Sequence, residues 1–226
     1  MRYGLLVIFT ALMGFLTHAQ QNPFMNDANG RPLYWGSNYI ADGSPFYHDS
    51  YNLAEITSTN GKVYKDVRIK LNLVDLTIQY MTEDGGEMIA STGIKSIRFP
   101  VLLTEDGTKS NVWLISSTPS INQPNAVIYQ VLDSGKVSLL KKISITYRDE
   151  KKYGEAVITR HFDRKETEYL RQVNGEYIKL DKSRSFILNA LSDKRERVDH
   201  YITNNNIKCK SAKDFQLIVM YYNSLE

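Results

Sequence analysis

Asn60-Gly61-Lys62-Val63-Tyr64-Lys65-Asp66-Val67-Arg68-Ile69-Lys70-Leu71-Asn72-Leu73 sets the fold class of this chain. Val67, Ile69, Leu71 and Leu73 alternate with Asp66, Arg68, Lys70 and Asn72. A period of two means a strand with one apolar face and one wet face. Only Tyr64 and Lys65 break the alternation. Asn60-Gly61 in front of it tolerates the positive φ angles that a tight hairpin turn demands.

The same pattern spreads outward. Leu76, Ile78 and Tyr80 form the inward set of a following strand. Glu83-Asp84-Gly85-Gly86 turns the chain into a short strand at 87–90, and 94–99 reads as another, ended by Pro100. Strands are expected at 112–115, 126–132, 137–147, 156–163, 167–173 and 176–180, with Asp133-Ser134-Gly135 and Asn174-Gly175 as turns. Short links favour antiparallel pairing, because parallel strands need long crossovers. The expected fold class is therefore α+β: an antiparallel meander of about ten strands, as a curled sheet, open barrel or sandwich, with a C-terminal helical cap.

The character changes after Lys182. A short helix is expected at 185–191. Asp193 with Glu196, and Ser211 with Asp214, have capping-box spacing, and Asn204-Asn205-Asn206 can supply a left-handed stop between them. Phe215, Ile218, Val219 and Tyr222 fall at i, i+3, i+4 and i+7, the stripe of a helix that buries one side. Leu217, Met220, Tyr221 and Leu225 widen it, so the helix either closes one end of the sheet or docks onto another chain.

The N-terminus reads as an export signal. Arg2 precedes an uncharged apolar run at 5–16, and Thr17-His18-Ala19 places small residues before a cut at Gln20. A membrane span needs roughly 20 apolar residues, and Gln20, Gln21 and Asn22 follow too soon. Four segments are expected: signal peptide 1–19, aromatic-rich arm 20–52, β-rich domain 53–182 and helical segment 183–226. The mature chain of 207 residues can build a core without cross-links, which Cys209 alone could not provide. Cys209 reads as a small buried hydrophobe. Localisation is expected in the periplasm, at the outer-membrane periphery or in the medium, with no transmembrane span in the mature chain.

Charge is uneven: 136–213 holds 19 basic and 11 acidic residues, 20–135 holds 8 and 12. A basic half can meet an acidic glycan, a lipid headgroup or a protein, but the charges fall largely on alternating strand positions, and solvated strand faces are the favoured account of them. An exported chain has no reason to meet nucleic acid. The arm's Tyr34, Trp35, Tyr39, Phe46 and Tyr47 are the candidate binding surface. Such rings either stack on a ligand or pack onto the domain that follows them.

Motifs for chemistry are lacking. There is no G-x-S-x-G elbow, no phosphate-binding glycine loop and no H-x-x-x-H pair. Neither a catalytic residue, a metal site nor a cofactor site is assigned. His161 and Asp163 share a strand face, and His48 adjoins Asp49; either pair needs further ligands to hold a metal. Glu83, Asp84, Glu87, Glu105 and Asp106 could converge in space as paired carboxylates.

Gly43-Ser44-Pro45-Phe46, the run from Asn60 to Val67, Tyr129-Gln130-Val131-Leu132, the run from Gly135 to Lys141 and Tyr221-Tyr222-Asn223-Ser224-Leu225 together resemble a family of exported proteins from Bacteroidetes-type bacteria with no known activity. The resemblance implies compartment and general architecture, and carries over no functional residue. The expected function is a non-enzymatic envelope protein that binds a partner protein, glycan or lipid. The alternatives are an envelope hydrolase using converging carboxylates or His161 with Asp163, and a carrier of an apolar ligand inside the curled sheet.

Overall fold

The computed structural model describes residues 25–26, 32–33, 39–103, 107–154 and 156–225. The expected signal peptide at 1–19, and Tyr34, Trp35, Glu105 and Asp106, lie outside the described residues. The chain divides into two units, Met1–Trp35 and Gly36–Glu226. In the first, β1 (Met25–Asn26) pairs antiparallel with β2 (Pro32–Leu33).

One curled, open sheet of eleven strands organises the second unit. Its strands are β3 (Tyr39–Asp42), β4 (Asn52–Ser58), β5 (Val63–Leu71), β6 (Ile78–Met81), β7 (Glu87–Ile89), β8 (Ile94–Leu103), β9 (Lys109–Ser116), β10 (Ile128–Asp133), β11 (Ser138–Glu150), β12 (Ile158–Arg171) and β13 (Tyr177–Lys179). Three helices follow: α1 (Arg184–Ala190), α2 (Arg195–Asn204) and α3 (Ala212–Ser224). Among the described residues no helix is long and apolar enough to cross a membrane.

The expected α+β class is what the chain adopts, and the meander holds from β8 to β13 and from β4 to β7. Two pairings depart from it. β4 lies beside β8, and β3 pairs with β12 in parallel, matching Ile158–His161 to Tyr39–Asp42. The second half of the arm is thus part of the sheet, and Phe46 bridges Asn72 as well. The Asn60-Gly61 turn forms as expected, with Gly61 at φ 85°.

Strand boundaries differ from expectation in several places, β9 starting at Lys109 and β11 running to Glu150, and two of the differences have a clear physical reason. Pro100 does not end β8; a register shift between Phe99 and Leu102 against β9 accommodates the missing N–H. The segments expected at 156–163 and 167–173 are one continuous strand, because β12 pairs with β11 without interruption from Ile145↔Arg164 to Ser138↔Arg171 and outward to Glu150↔Thr159. Cross-strand pairing carries the strand through a charged run that lacks apolar alternation.

Two apolar cores lie on the sheet. Ala54, Ile69, Leu71, Ile78, Ile97, Phe99, Leu114 and Ile128 build the larger one. Leu139 and Leu170 meet α1–α3 in the second, through Ile187, Val198, Ile202, Phe215, Ile218, Val219 and Tyr222. α3 therefore closes the sheet, while Leu217 and Met220 stay exposed on its outer side. Its capping box is present: Asp214 N–H donates to Ser211 Oγ at 3.2 Å and Asp214 Oδ2 accepts from Ser211 N–H at 3.2 Å. The Asp193 box does not form. The N-cap of α2 is Lys194, and Asp193 instead accepts from Lys136 Nζ at 2.8 Å and Tyr222 Oη at 2.9 Å.

Candidate functional site

The β11–β12 register lays a ladder of opposed side chains along the inner face. Leu139 faces Leu170, Lys141 faces Glu168, Ile143 faces Glu166, Ile145 faces Arg164, Tyr147 faces Phe162 and Asp149 faces Arg160. β10 adds Gln130 opposite Lys141. The ladder is apolar at its helical end and in its middle, with a polar belt of Gln130, Lys141, Glu166 and Glu168 between the two cores.

Beside that belt the sheet curls around a cleft of about 980 Å³. Phe46, Leu102, Val112, Ile145 and Phe162 supply its apolar walls; Gln130, Lys141, Arg164 and Glu166, with Ser44, His48, Asp49 and Ser110, supply its polar groups. Glu166 holds both cations, Lys141 Nζ at 3.0 Å and Arg164 Nη2 at 3.1 Å. Burial pushes the Glu166 carboxyl up, but hydrogen bonds and charge from Lys141 and Arg164 outweigh it and leave it below its ordinary value. Arg164 Nη1 also donates to the Tyr47 carbonyl at 3.0 Å, which ties the loop after β3 to the floor of the cleft.

The expected surface residues divide. Tyr47 is 9% exposed, stacks on Phe99 at 6.0 Å and borders the cleft with Arg164 over its ring. Its phenol is pushed up to about 12 by burial, with Arg164 acting in the lowering direction. Phe46 sits on the rim under Lys70 Nζ at 3.9 Å. Tyr39 lies further along β12, where Arg160 stacks between Tyr39 and Tyr147 at 4.3 and 4.0 Å while chelating Asp149. Packing thus takes Tyr47, and the cleft rim takes Phe46. The polar partners Gln130, Lys141, Arg164 and Glu166 were missed by reading the sequence. On their strands they look like ordinary solvated residues.

The histidines are committed elsewhere. His48 Nε2 donates to the Leu103 carbonyl at 3.0 Å, so Nδ1 accepts from Ser50 N–H at 3.2 Å and Asn52 Nδ2 at 3.0 Å. His161 does share a strand face with Asp163, but it binds Asp42 through Nδ1 at 2.7 Å and Glu150 through Nε2 at 3.1 Å, while Asp163 is exposed. Those two carboxylates lie at opposite ends of the ring and do not converge on one point. His200 is exposed on α2. Among the described residues no cluster of three or more His, Cys, Asp or Glu side chains could hold a metal. Glu83 and Asp84 occupy the β6–β7 turn, where Asp84 accepts from Thr82. Glu87 lies beside Tyr51, whose phenol is pushed up to about 12 by burial and by that neighbour. Cys209 is 2% exposed, and burial pushes its thiol up. The core behind the cleft is filled by Ile69 and Leu71, with Val67 packed against them. No protein-family model, curated protein or solved structure matches the chain.

Proposed function

We propose that this protein is a non-enzymatic binding protein of the cell envelope that receives its partner in the cleft between the β3–β4 loop and the inner face of β11 and β12. The observation that carries the reading is the composition of that cleft. Its volume of about 980 Å³ falls at the upper end of the usual range for ligand sites. Apolar walls with a few convergent polar groups are the usual makeup of such sites. Both cations there are paired with Glu166 and the His48 ring that lines the cleft is fully hydrogen-bonded, an arrangement suited to orienting a bound group rather than to moving protons.

The test compares the mature protein with Ser110→Trp, which places an indole in the cleft from β9. Thermal shift and calorimetry against panels of peptides, glycans and lipids are expected to find one class that raises Tm in the parent. Ser110→Trp is expected to lose that response while its own Tm and circular dichroism stay within the parent's range. A ligand bound equally by both proteins overturns the reading, as does silence across all three panels. Export is part of the same proposal: N-terminal sequencing of protein from the envelope or medium is expected to begin at Gln20, and recovery with Met1 attached counts against it.

A further inference from the structure

Along one edge, β12 is covered at its two ends only. β3 pairs with Ile158–His161 and β13 with Tyr169–Arg171. Leu180 N–H donates to the Glu168 carbonyl at 2.9 Å. Between these, among the described residues, no strand pairs with the outer edge. Ser144 Oγ reaches the Lys165 carbonyl at 3.5 Å from β11, so Lys165 turns its backbone groups inward to that neighbour. By alternation Arg164 and Glu166 turn their N–H and C=O groups to the open side. Asp163, Arg164, Lys165 and Glu166 are all exposed. Because the side chains of Phe162, Arg164 and Glu166 line the cleft, the open backbone edge and the cleft are neighbouring parts of one surface.

The gap is short. A β-carbon on Gly43 would lie 3.0 Å from the Phe162 carbonyl, so the chain leaving β3 still occupies that end. What remains accommodates a strand of roughly four residues at about 3.3 Å each. A second copy of the same edge does not fit. Its β12 is a continuous 14-residue strand and would run into β3 and β13 at either end. Only a short extended segment, joined to chain that leaves the plane, can enter.

We infer that the open edge of β12 takes a short extended segment of a partner protein by antiparallel strand addition, its alternate side chains set into the cleft; this rests on the binding reading above. Charge defines the segment. Four consecutive charged residues, Asp163 to Glu166, protect the edge against indiscriminate apolar strands. A matching strand carries an acidic side chain opposite Arg164 and a basic one opposite Glu166, because directly opposed pairs are the unit of sheet recognition. Main-chain bonds supply the grip and the cleft supplies the selection.

The test is an NMR hydrogen-exchange measurement on the mature protein, with the acetylated, amidated peptide Lys-Thr-Glu-Thr as probe at about 2 mM, a concentration that detects binding in the millimolar range. In the free protein the Arg164 and Glu166 amides are expected to exchange rapidly, while those of Asp163, Lys165 and Thr167, which face β11, are protected. The peptide is expected to slow the Arg164 and Glu166 amides roughly threefold, as 1 + [L]/Kd gives for a Kd of about 1 mM. Glu166→Pro removes an outward N–H without touching the β11 ladder and is expected to abolish the effect. Glu166→Gln, which keeps that N–H but removes the charge facing the probe's Lys, is expected to keep a weaker slowing. Protection of the two amides in the free protein overturns the inference: dilution-independent protection makes the occupant this chain itself, and protection lost on dilution makes it a second copy. An unchanged exchange rate with peptide, or slowing that survives Glu166→Pro, also overturns it. If Ser110→Trp-sensitive binding of another ligand persists in those cases, the cleft reading stands alone.

Discussion

At the scale of single residues, side-chain amides and carboxylates hold the corners of this sheet. Asn223 accepts from Val137 N–H at 3.0 Å and donates to the Val137 carbonyl at 2.8 Å and to Asp133 at 2.9 Å. Asn223→Ala strands a partly buried N–H and is expected to cost about 2 kcal/mol in urea unfolding. Gly135 is required by proximity and not by its φ, since a β-carbon there would lie 2.5 Å from Asn223 Cγ. Gly135→Ala is expected to cost about 1–3 kcal/mol alone. It should cost clearly less in the Asn223→Ala background, because the two changes share one contact. The acid limb of stability belongs here too. Asp193, held by Lys136, and Asp214, held by the Lys210 and Ser211 amides, lie below their ordinary 3.8, and Glu166 lies below 4.5. Each contributes stability fully present above those ordinary values and lost as pH falls through the lower folded ones. Asp133 works the other way, since burial raises it and its penalty is relieved on acidification. With Asp84 and Asp149 also held low, by Thr82 and Arg160, the lowered carboxylates outnumber the raised one and predict a net loss of Tm below about pH 4.5, with a shallower slope in Asp193→Asn. A Tm unchanged down to pH 2.5 would contradict this.

At the scale of elements, local signals were legible wherever a turn or cap depends on near neighbours. Asn60-Gly61, Ser211 with Asp214, and the left-handed Asn206 at φ 53° are all where the residue chemistry places them. Ser211→Ala is expected to lower stability by about 1 kcal/mol through the lost cap of α3, measured by chemical unfolding. Asp193 shows the limit of such reading. Its spacing to Glu196 is that of a cap, yet Lys136 and Tyr222 are distant in sequence and offer it better bonds. The same holds for β12. Its charged centre reads as a break, and only the full-length partner β11 makes it one strand.

At the scale of the whole molecule, two cores share one sheet and meet at the Gln130–Lys141–Glu166 belt. The helices are needed to cover Val137, Leu139 and Leu170, which are 0–2% exposed. A chain ending at Lys182 is therefore expected to aggregate on purification, read by light scattering, while retaining strand-rich circular dichroism. Alternation in Val67–Leu73 and the i, i+3, i+4, i+7 stripe of α3 determined the class and which side of each element is apolar, because both depend on the geometry of a single element. The open edge, the cleft and the pairing of Glu166 with Lys141 and Arg164 did not follow from any local pattern. They arise where β3, β9, β10, β11 and β12 come together from opposite ends of the chain. That meeting is decided by which strands pair, and pairing is a competition among long-range contacts that no short window of residues contains.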